Sequence, residues 1–426
     1  MPISQPRGVR DFGPGESIAR KRIIAVVEET FKRFGFSPIE TPALESMEVL
    51  NAKAYGEESA KQFYKIDGDD SALRFDLTIP MARYIAMNSN MPLPFKRYQI
   101  GQTWRRDEPQ KMRYREFTQA DVDIVGSEGV ECDAEVIAAV AIALEELKLT
   151  DYKILINSRV ILDAVLDSFG VQKEKQPQII RIIDKLEKIG RREVTSQIQE
   201  LGVEQRAAER IVEFITEGGN DEETIGKVAA NTPGTKAEFE RLKSLMELLA
   251  AYKLQGSVAF SPSLARGFDY YTGFVWEFVV YYEGKLLPTL AAGGRYNNLL
   301  ELYAKKSVPA VGCSIGIDRV FDVIEGKPMM STYAKLFVGT IGDENYGYAL
   351  SVANSARAAG VYTDINMTRR NISKQLEYAN ALKFRYAIIV GSQEKAANNV
   401  KLRDLVSGEE ESLPLSEAIG KMTMKE

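Results

Sequence analysis

The segment from Trp104 to Gly126 places cationic side chains beside a row of carboxylates. Read with the two-residue period of a strand, its second half has a polar, acidic face and a face that a core would cover. The polar face carries Phe117, Gln119, Asp121 and Asp123, and the covered face carries Thr118, Ala120, Val122 and Ile124. The cations that precede this strand are Arg105, Arg106, Lys111, Arg113 and Arg115. Guanidinium groups suit phosphates and buried carboxylates require cations or donors, so the pattern favours a ligand site over a solvated charged hairpin.

Two further stretches add candidate ligand contacts. Residues 72–84 (ALRFDLTIPMARY) predict a strand with Arg74, Asp76 and Thr78 on one face, although an edge strand with one wet face would have the same pattern. Residues 264–278 (LARGFDYYTGFVWEF) place an arginine, an aspartate and two tyrosines near glycines. This combination indicates the wall of a polar pocket.

Another stretch combines residues 291–300 (AAGGRYNNLL) with residues 311–320 (VGCSIGIDRV). Its glycines permit close approach of the backbone, and Arg319 lies near the start of a predicted helix, a position suited to an anion. Each of these stretches alone could be a turn. Taken together, Arg105, Arg266 and Arg319 indicate that the ligand is a polyphosphate.

Composition restricts the chemistry. The chain has 426 residues, of which 45% are hydrophobic and 27% are charged, as in a globular protein of two or three domains. It contains no histidine, which excludes Ser-His-Asp and Cys-His catalysis, imidazole general bases and histidine-ligated metals. Its net charge of −5 argues against indiscriminate nucleic-acid binding, so such contacts require local basic patches such as 111–115.

The sequence also predicts a cytoplasmic location. Its first residues lack the apolar stretch of a signal peptide, and no apolar run approaches the length that spans a bilayer. Cys132 and Cys313 are far apart, which suggests reduced thiols, and they cannot form a zinc cluster by themselves.

Periodicity predicts a sheet-based domain with a helical insertion, followed by a second domain. The first domain would have a helix at 19–35, strands at 72–79, 96–105 and 114–125, a helix at 132–148, strands at 272–282 and 286–292, and a helix near 315. Residues 172–254 have long polar helical patterns with almost no strand signal, which indicates the insertion. From about 333, strand-like segments alternate with helices at 344–358 and 371–382; the segments are LFVGT, VYTDIN, YAIIVG and VKLRDL. This alternation predicts a small α/β domain with a mainly parallel sheet.

These stretches resemble the class II aminoacyl-tRNA synthetases, and specifically the histidyl-tRNA synthetase family. The segment from Trp104 resembles motif 2 of that class, residues 311–320 resemble motif 3, and residues 34–42 (FGFSPIETP) resemble the degenerate motif 1. LARGFDYYTG and AAGGRY resemble the two histidine-specific motifs. RGVRDF, LRFDLT and the C-terminal α/β domain also match, so the resemblance covers essentially the whole chain.

The resemblance implies an α+β fold with two domains and an insertion. It comprises a class II synthetase antiparallel-sheet catalytic core at 1–328, interrupted by a helical insertion domain at 172–254, and a C-terminal α/β anticodon-binding domain at 329–426. The insertion would clamp the acceptor arm of tRNA, or present an interaction surface unrelated to tRNA. A homodimer that pairs through motif 1 is also implied.

The resemblance further implies roles for individual residues. Arg105 and Arg266 would be the catalytic residues, because both would contact the ATP α-phosphate and the histidine carboxylate. The ATP-binding set would be Arg105, Asp107, Arg113, Phe117 and Arg319, with Phe117 and Arg319 on the adenine faces and Arg113 and Arg319 at the γ-phosphate. The histidine-binding set would be Asp76, Leu77, Thr78, Arg105, Gln119, Asp123, Arg266, Tyr270, Tyr271 and Tyr296. Gln110 and Arg115 would face the tRNA acceptor end, and no residue is assigned to a metal.

Within the histidine-binding set, the resemblance implies two different contacts. Asp76, Thr78 and Gln119 would take the α-ammonium group. Asp123 and Tyr271 would bind the two imidazole nitrogens, one of which donates while the other accepts. Asp121 receives no role.

The implied activity is the ATP-dependent ligation of L-histidine to tRNA(His) through a histidyl-adenylate, with Mg²⁺ accompanying ATP. Attack of a carboxylate on phosphorus requires positioning and charge neutralisation, and no general base, so the absence of histidine is no obstacle. The alternative is a non-catalytic paralogue that acts as the regulatory subunit of ATP phosphoribosyltransferase. Such paralogues generally lack the anticodon-binding domain and lose the motif arginines, whereas this chain keeps Arg105, Arg266, Arg319 and residues 333–426.

Overall fold

The computed structural model describes residues 3–51, 60–216, 235–265, 270–304, 307–324, 331–368 and 370–423. Contacts among these residues divide the chain into two compact units, Met1–Arg10 with Ile23–Glu325 and Asp11–Arg22 with Gly326–Glu426. The predicted boundary between 328 and 329 lies outside the described residues, so the limits of the domains stay a prediction.

The first unit is built on a large, mainly antiparallel sheet. Its strands are β1 Ser37–Pro38, β2 Leu44–Ser46, β3 Ser71–Leu73, β4 Phe95–Trp104, β5 Glu116–Val125, β6 Tyr152–Ser158, β7 Val258–Phe260, β8 Phe274–Tyr282, β9 Lys285–Leu286, β10 Ala291–Arg295 and β11 Ala310–Gly316. In the described part of the chain β2 pairs with β3, and the other strands follow the order β1-β4-β5-β11-β10-β8-β6-β7, with β9 on β8. The pairs β1–β4 and β6–β7 are parallel and the pairs between them antiparallel, which confirms the predicted antiparallel core.

Strand β5 lies inside this sheet and is buried on both faces. Thr118, Ala120, Val122 and Ile124 are buried, as predicted for the face that a core would cover. The acidic face is buried too, since Asp121 and Asp123 are each only 2% exposed. Helix Val130–Glu146 contacts β5 and β11, and most of its length is buried and rich in alanine. The carboxylates are therefore shielded from bulk solvent.

The structure differs from the predicted strand at 72–79. Strand β3 ends at Leu73, and a helix begins at Thr78 and ends at Met87. Asp76 Oδ1 accepts hydrogen bonds from the backbone N–H groups of Thr78 (3.1 Å) and Ile79 (3.0 Å), which caps the first turn of that helix. The prediction that Arg74, Asp76 and Thr78 share a strand face was therefore wrong. Strands β6 and β7 were also not predicted, although they extend the same sheet.

The helices up to residue 324 are Pro14–Arg33, Met47–Leu50, Thr78–Met87, Val130–Glu146, Arg159–Ser168, Gln176–Ile183, Leu186–Glu200, Gln205–Thr216, Lys236–Ala251 and Ile317–Ile324. Those between 176 and 216 share a core with Leu162 and Leu166 of the preceding helix, to which Ile179, Ile198 and Ile211 contribute. The helical character predicted for 172–254 is confirmed in its described residues, and 217–234 lie outside them.

The second unit contains its own sheet. Its strands are β12 Leu336–Thr340, β13 Thr363–Ile365, β14 Tyr386–Val390, β15 Asn399–Asp404 and β16 Glu410–Pro414, in the order β13-β12-β14-β15-β16. β13, β12 and β14 are parallel, as predicted, whereas β15 and β16 are antiparallel. Its helices are Tyr346–Ala358, Ile372–Ala381, Ser392–Ala397 and Leu415–Thr423. Among the described residues, no helix has the length and apolarity needed to cross a membrane.

Candidate active site

A cavity of about 210 Å³ opens on the sheet of the first unit. The predicted site residues on its wall are Asp76, Thr78, Arg105, Asp107, Arg113, Phe117, Gln119, Asp123, Tyr270, Tyr271, Tyr296 and Arg319. Leu77 is not on the wall: its side chain is fully buried, and its carbonyl accepts a hydrogen bond from Arg97 Nη2 at 3.3 Å. Arg266 lies outside the described residues.

The register of three neighbouring strands builds the floor of the cavity in rows. From Gln119 to Val125, each residue of β5 lies between a partner on β4 and a partner on β11. The rows are Arg97–Asp123–Gly312, Gln99–Asp121–Ser314 and Gly101–Gln119–Gly316. Alternate residues of β5 therefore present two carboxylates and an amide to the same cavity, with small residues of β11 beside them.

Asp123 is held by contacts on both of its oxygens. Oδ1 accepts a hydrogen bond from the hydroxyl of Tyr296, and Oδ2 lies 2.7 Å from Nη2 of the fully buried Arg97. Burial raises the pKa of Asp123, while Arg97 and the Tyr296 hydrogen bond oppose that rise. A Cβ built on Gly312 would lie 1.8 Å from Asp123 Oδ1, so only glycine leaves room for this carboxylate.

Negative charge accumulates on this floor. Asp76, Asp121 and Asp123 are buried together, and each of the three repels the ionised forms of the others. Burial raises the pKa of Asp121 to about 7, with Arg97 opposing the shift and Asp123 adding to it. A buried cluster of like charges is unfavourable unless a cation balances it, so the floor is suited to a ligand that carries an ammonium group.

A tyrosine cluster forms one wall. The ring centroids of Tyr270 and Tyr271 are 4.9 Å apart, and those of Tyr270 and Tyr296 are 5.6 Å apart. A Cβ on Gly294 would lie 2.9 Å from the ring of Tyr271, so the double glycine of β10 admits that ring against the sheet. This wall combines flat apolar faces with hydroxyl groups, which suits an aromatic ring that carries nitrogen atoms.

Arginines occupy the other end of the cavity. Arg105 Nε donates to the carbonyl of Phe75 at 3.1 Å, and its guanidinium carbon lies 5.2 Å from the centre of the Phe117 ring. Arg319 donates to the carbonyls of Thr289 (2.6 Å) and Met112 (3.2 Å). These carbonyl contacts orient the two guanidinium groups, and the planar fork of a guanidinium group is suited to phosphate.

Arg113 and Asp107 form a bidentate pair at the rim. Arg113 Nε and Nη2 donate to the two carboxylate oxygens of Asp107 at 2.9 and 2.8 Å. Both of these predicted ATP ligands therefore lie on the wall, but each is engaged with the other. A phosphate at this end of the cavity would therefore compete with Asp107 for Arg113.

Arg319 is positioned by an ion-pair network that the sequence did not predict. Arg10 donates to Asp318 at 3.2 Å and to Asp322 at 2.6 Å, both on the helix that carries Arg319. Asp318 also accepts a hydrogen bond from the backbone N–H of Thr118 at 2.6 Å, which fixes the start of this helix against β5.

The predicted tRNA contacts lie away from the cavity. Gln110 and Arg113 exchange backbone hydrogen bonds across the tight turn of the motif 2 loop. Arg115 lines a second, basic cavity of about 840 Å³, which we call the basic cleft. Its lining residues are Ala60, Lys61, Phe63, Tyr64, Lys65, Arg106 and Arg115.

Sequence reasoning missed Arg97, Gly312, Ser314 and the buried pair of Arg295 and Asp133. Arg295 Nε donates to Asp133 Oδ1 at 3.1 Å, and its Nη atoms donate to the carbonyls of Ser127 and Gly129 at 3.0 and 2.9 Å. Arg295 thereby ties β10 to the start of helix Val130–Glu146. Arg97 and Gly312 could be recognised only from the strand register, which places each of them opposite Asp123. A single sequence does not reveal that register.

Comparison with known proteins agrees with this geometry. Residues 8–320 match the family model "Histidyl-tRNA synthetase", and residues 335–425 match the model "Anticodon binding domain". A histidine–tRNA ligase of Korarchaeum cryptofilum is 38% identical over 423 residues, which cover 95% of each chain. A histidine–tRNA ligase of Aeropyrum pernix is 36% identical, with coverage of 97% of this chain and 96% of the relative.

Solved structures have the same architecture. A histidyl-tRNA synthetase from Nostoc sp. PCC 7120 superposes with a TM-score of 0.85 at 28% identity, over 99% of this chain and 100% of that one. A protein from Bacillus halodurans C, described as an ATP phosphoribosyltransferase regulatory subunit/histidyl-tRNA synthetase, superposes with a TM-score of 0.76, but at 22% identity it shares the fold alone. Because the family model spans the cavity from Asp76 to Arg319, the chain belongs to the histidyl-tRNA synthetase family.

Proposed function

We propose that this chain ligates L-histidine to tRNA(His), with MgATP as the second substrate. In the first step a carboxylate oxygen of histidine attacks the α-phosphorus of ATP, and the bond to the β-phosphate breaks and releases pyrophosphate. In the second step a ribose hydroxyl at the 3′ end of tRNA attacks the carbonyl carbon of the adenylate and releases AMP. The observation that supports this proposal best is a cavity with an acidic floor at one end and arginines at the other.

The acidic end would bind the amino acid. Asp76, Thr78 and Gln119 would receive the α-ammonium group, which supplies the positive charge that the floor needs. Asp123, with Tyr271 and Tyr296 beside it, would bind the imidazole ring. A polar pocket of this kind discriminates strongly, because an apolar analogue leaves its buried donors and acceptors unpaired.

The arginine end would bind the nucleotide. Arg105 would contact the α-phosphate and the histidine carboxylate, and so bring the two anions together. Phe117 and Arg319 would hold adenine between them, with Arg113 reaching the γ-phosphate after its pair with Asp107 opens. Arg266 keeps its predicted catalytic role on the basis of the resemblance. A divalent ion would enter with the phosphates, and we assign no residue to it.

The remaining partners follow from the family and the basic cleft. Gln110 and Arg115 would contact the acceptor end of tRNA, and residues 335–425 would bind the anticodon. Phosphate contacts made by lysine and arginine carry most non-specific affinity for nucleic acid, which suits the basic cleft. We further propose a homodimer in the cytoplasm.

Histidine-dependent exchange of pyrophosphate into ATP tests the proposal. The wild type should catalyse this exchange with histidine and not with other amino acids, and should then charge tRNA(His). Arg105→Ala and Arg266→Ala should each abolish exchange while the fold is retained, whereas Arg33→Ala, which removes an exposed ion pair, should not. A wild-type protein without exchange activity would instead support the regulatory-subunit alternative.

A further inference from the structure

Asp121 is a buried carboxylate to which the reaction assigns no task. It is 2% exposed, lines the cavity and lies between Gln99 on β4 and Ser314 on β11. Its Oδ1 atom has no hydrogen-bond partner among the described residues. A buried, partly unsatisfied carboxylate is destabilising, so its place on the cavity wall points to a role in ligand binding.

Ser314 connects Asp121 to a predicted ligand of histidine. The amide Nε2 of Gln119 donates to Ser314 Oγ at 2.7 Å, and Ser314 lies directly opposite Asp121, whose pKa it lowers as a hydrogen-bond partner. The ammonium group of histidine favours the ionised form of Asp121, which can only accept, and a hydroxyl has a single hydrogen to donate. Ser314 must therefore donate to Asp121 and accept from Gln119, which gives the chain of hydrogen bonds a fixed direction.

This direction fixes the orientation of the Gln119 amide. With Nε2 committed to Ser314, the oxygen Oε1 is the free end of the amide, and it is buried without a partner in the described part of the chain. If the Ser314 hydrogen were not held by Asp121, it could donate to Oε1, and the amide would turn over and present its NH₂ group instead. An ammonium group accepts no hydrogen bond, so the reversed amide would repel it.

We propose that Asp121 is a positioning residue that, through Ser314, holds the Gln119 amide with its oxygen available to the α-ammonium group of histidine. This inference rests on the proposed function and goes beyond it, because it gives Asp121 and Ser314 tasks in recognition of the amine. It also gives a task to a buried acid that the proposed reaction leaves without one.

The test compares Asp121→Asn, Ser314→Ala and the double variant in histidine-dependent pyrophosphate exchange. An asparagine can donate to Ser314 as well as accept, so the direction of the chain is lost. Each single variant should raise the KM for histidine about tenfold, as expected for one lost hydrogen bond to a charged donor, with kcat and the KM for ATP changed less than about twofold. The double variant should be no worse than either single variant, because both changes break one chain.

A deaminated analogue separates this role from general damage to the site. Imidazolepropionate keeps the ring and the carboxylate but lacks the ammonium group, so its inhibition constant against histidine should be the same in the wild type and in Asp121→Asn. Asp163→Asn, which alters a carboxylate paired with Arg159 on a helix surface, serves as the control and should change neither constant.

The outcomes distinguish this inference from the proposed function. Absence of exchange in the wild type would refute the proposed function itself. The inference would be overturned if Asp121→Asn catalysed exchange with an unchanged KM for histidine. Additive effects in the double variant would also overturn it, because they would mean that Asp121 acts by its charge alone. Equal weakening of histidine and imidazolepropionate would also overturn it, because the defect would then lie outside amine recognition.

Discussion

Replacing Gly312 by alanine should weaken the binding of histidine far more than that of ATP. A Cβ built on Gly312 would lie 1.8 Å from Oδ1 of Asp123, 2.6 Å from its Cγ and 2.9 Å from the hydroxyl of Tyr296, where ordinary contacts are 3.4–4 Å. Because Asp123 is enclosed between β4 and β11, its carboxylate must move by more than an ångström. That movement separates it from Tyr296 and from Arg97, whose Nη2 now lies 2.7 Å from Oδ2.

The size of the effect follows from the contacts that are lost. A hydrogen bond to a charged group contributes about 1.5–3 kcal/mol, so loss of the contact between Asp123 and imidazole should raise the KM for histidine roughly 10- to 100-fold. The extra methyl group also overpacks the sheet, which should lower the free energy of unfolding by about 1–3 kcal/mol. The arginine end of the cavity does not touch Gly312, so the KM for ATP should change less than about twofold.

Pyrophosphate exchange at varied histidine and varied ATP measures both constants, and thermal unfolding measures the cost to the fold. Gly347→Ala is the matched control, since the space around that helical glycine is open and alanine favours helices. It should leave both KM values unchanged. The reasoning is refuted if Gly312→Ala binds histidine as the wild type does, or if the KM for ATP rises by the same factor.

Other consequences of the structure can be measured separately. Asp133→Asn leaves the buried Arg295 without its anion and should lower the midpoint of thermal unfolding by roughly 6–12 °C. Glu146→Gln is the control: it breaks the exposed pair with Arg33 and should lower the midpoint only slightly. Lys61→Gln combined with Lys65→Gln should raise the KM for tRNA and reduce the salt dependence of charging by roughly 1.5 in log–log slope, with pyrophosphate exchange unchanged; Lys148→Gln with Lys285→Gln, two exposed lysines outside the helical insertion, is the control. Asp121→Asn should reduce the loss of stability as the pH rises. The native pKa of Asp121 is about 7 against an ordinary value of 3.8, so the unfolded chain ionises first and stability falls as the pH rises through that window. The charged groups that act on Asp121 are present in both proteins; they are Arg97, Arg74, Asp76 and Asp123. The difference between the two unfolding curves across that window therefore reports the ionisation of Asp121. Parallel curves would contradict its raised pKa.

Motifs with strong local patterns could be predicted from the sequence. Alternation located β4 and β5, and the strand LFVGT coincides with β12 at Leu336–Thr340. The stretches with candidate ligand contacts also contain most residues that line the cavity, although many of these residues received no role. In each case the information is local, because the period of the side chains reports the element and the residue types report the chemistry.

Features that depend on capping or register could not be predicted in this way. Residues 72–79 alternate like a strand, but the Asp76 carboxylate caps a helix at Thr78, and a single capping contact is stronger than the weak alternation of a short segment. Arg97 lies in a predicted strand, yet its importance appears only when β4 and β5 are aligned. Leu77 belongs to a motif that is predicted to bind the ligand, but its own side chain faces the core.

Register also explains how the acidic floor can persist. A slip of β5 by two residues would keep every side chain on its face but would place Asp123 opposite Phe95 and Ala310, where it would meet neither Arg97 nor the space left by Gly312. Asp123 would then be buried without a cation, which is strongly unfavourable, and Asp121 would take its place opposite Arg97 and Gly312. The single arginine and the single glycine opposite Asp123 thus select one register. In that register Asp121 lies opposite Ser314, and Gln119 lies within reach of Ser314. The recognition that we propose for the amine and the imidazole therefore depends on the alignment of three strands, and the motifs contribute to it only because the alignment brings them together.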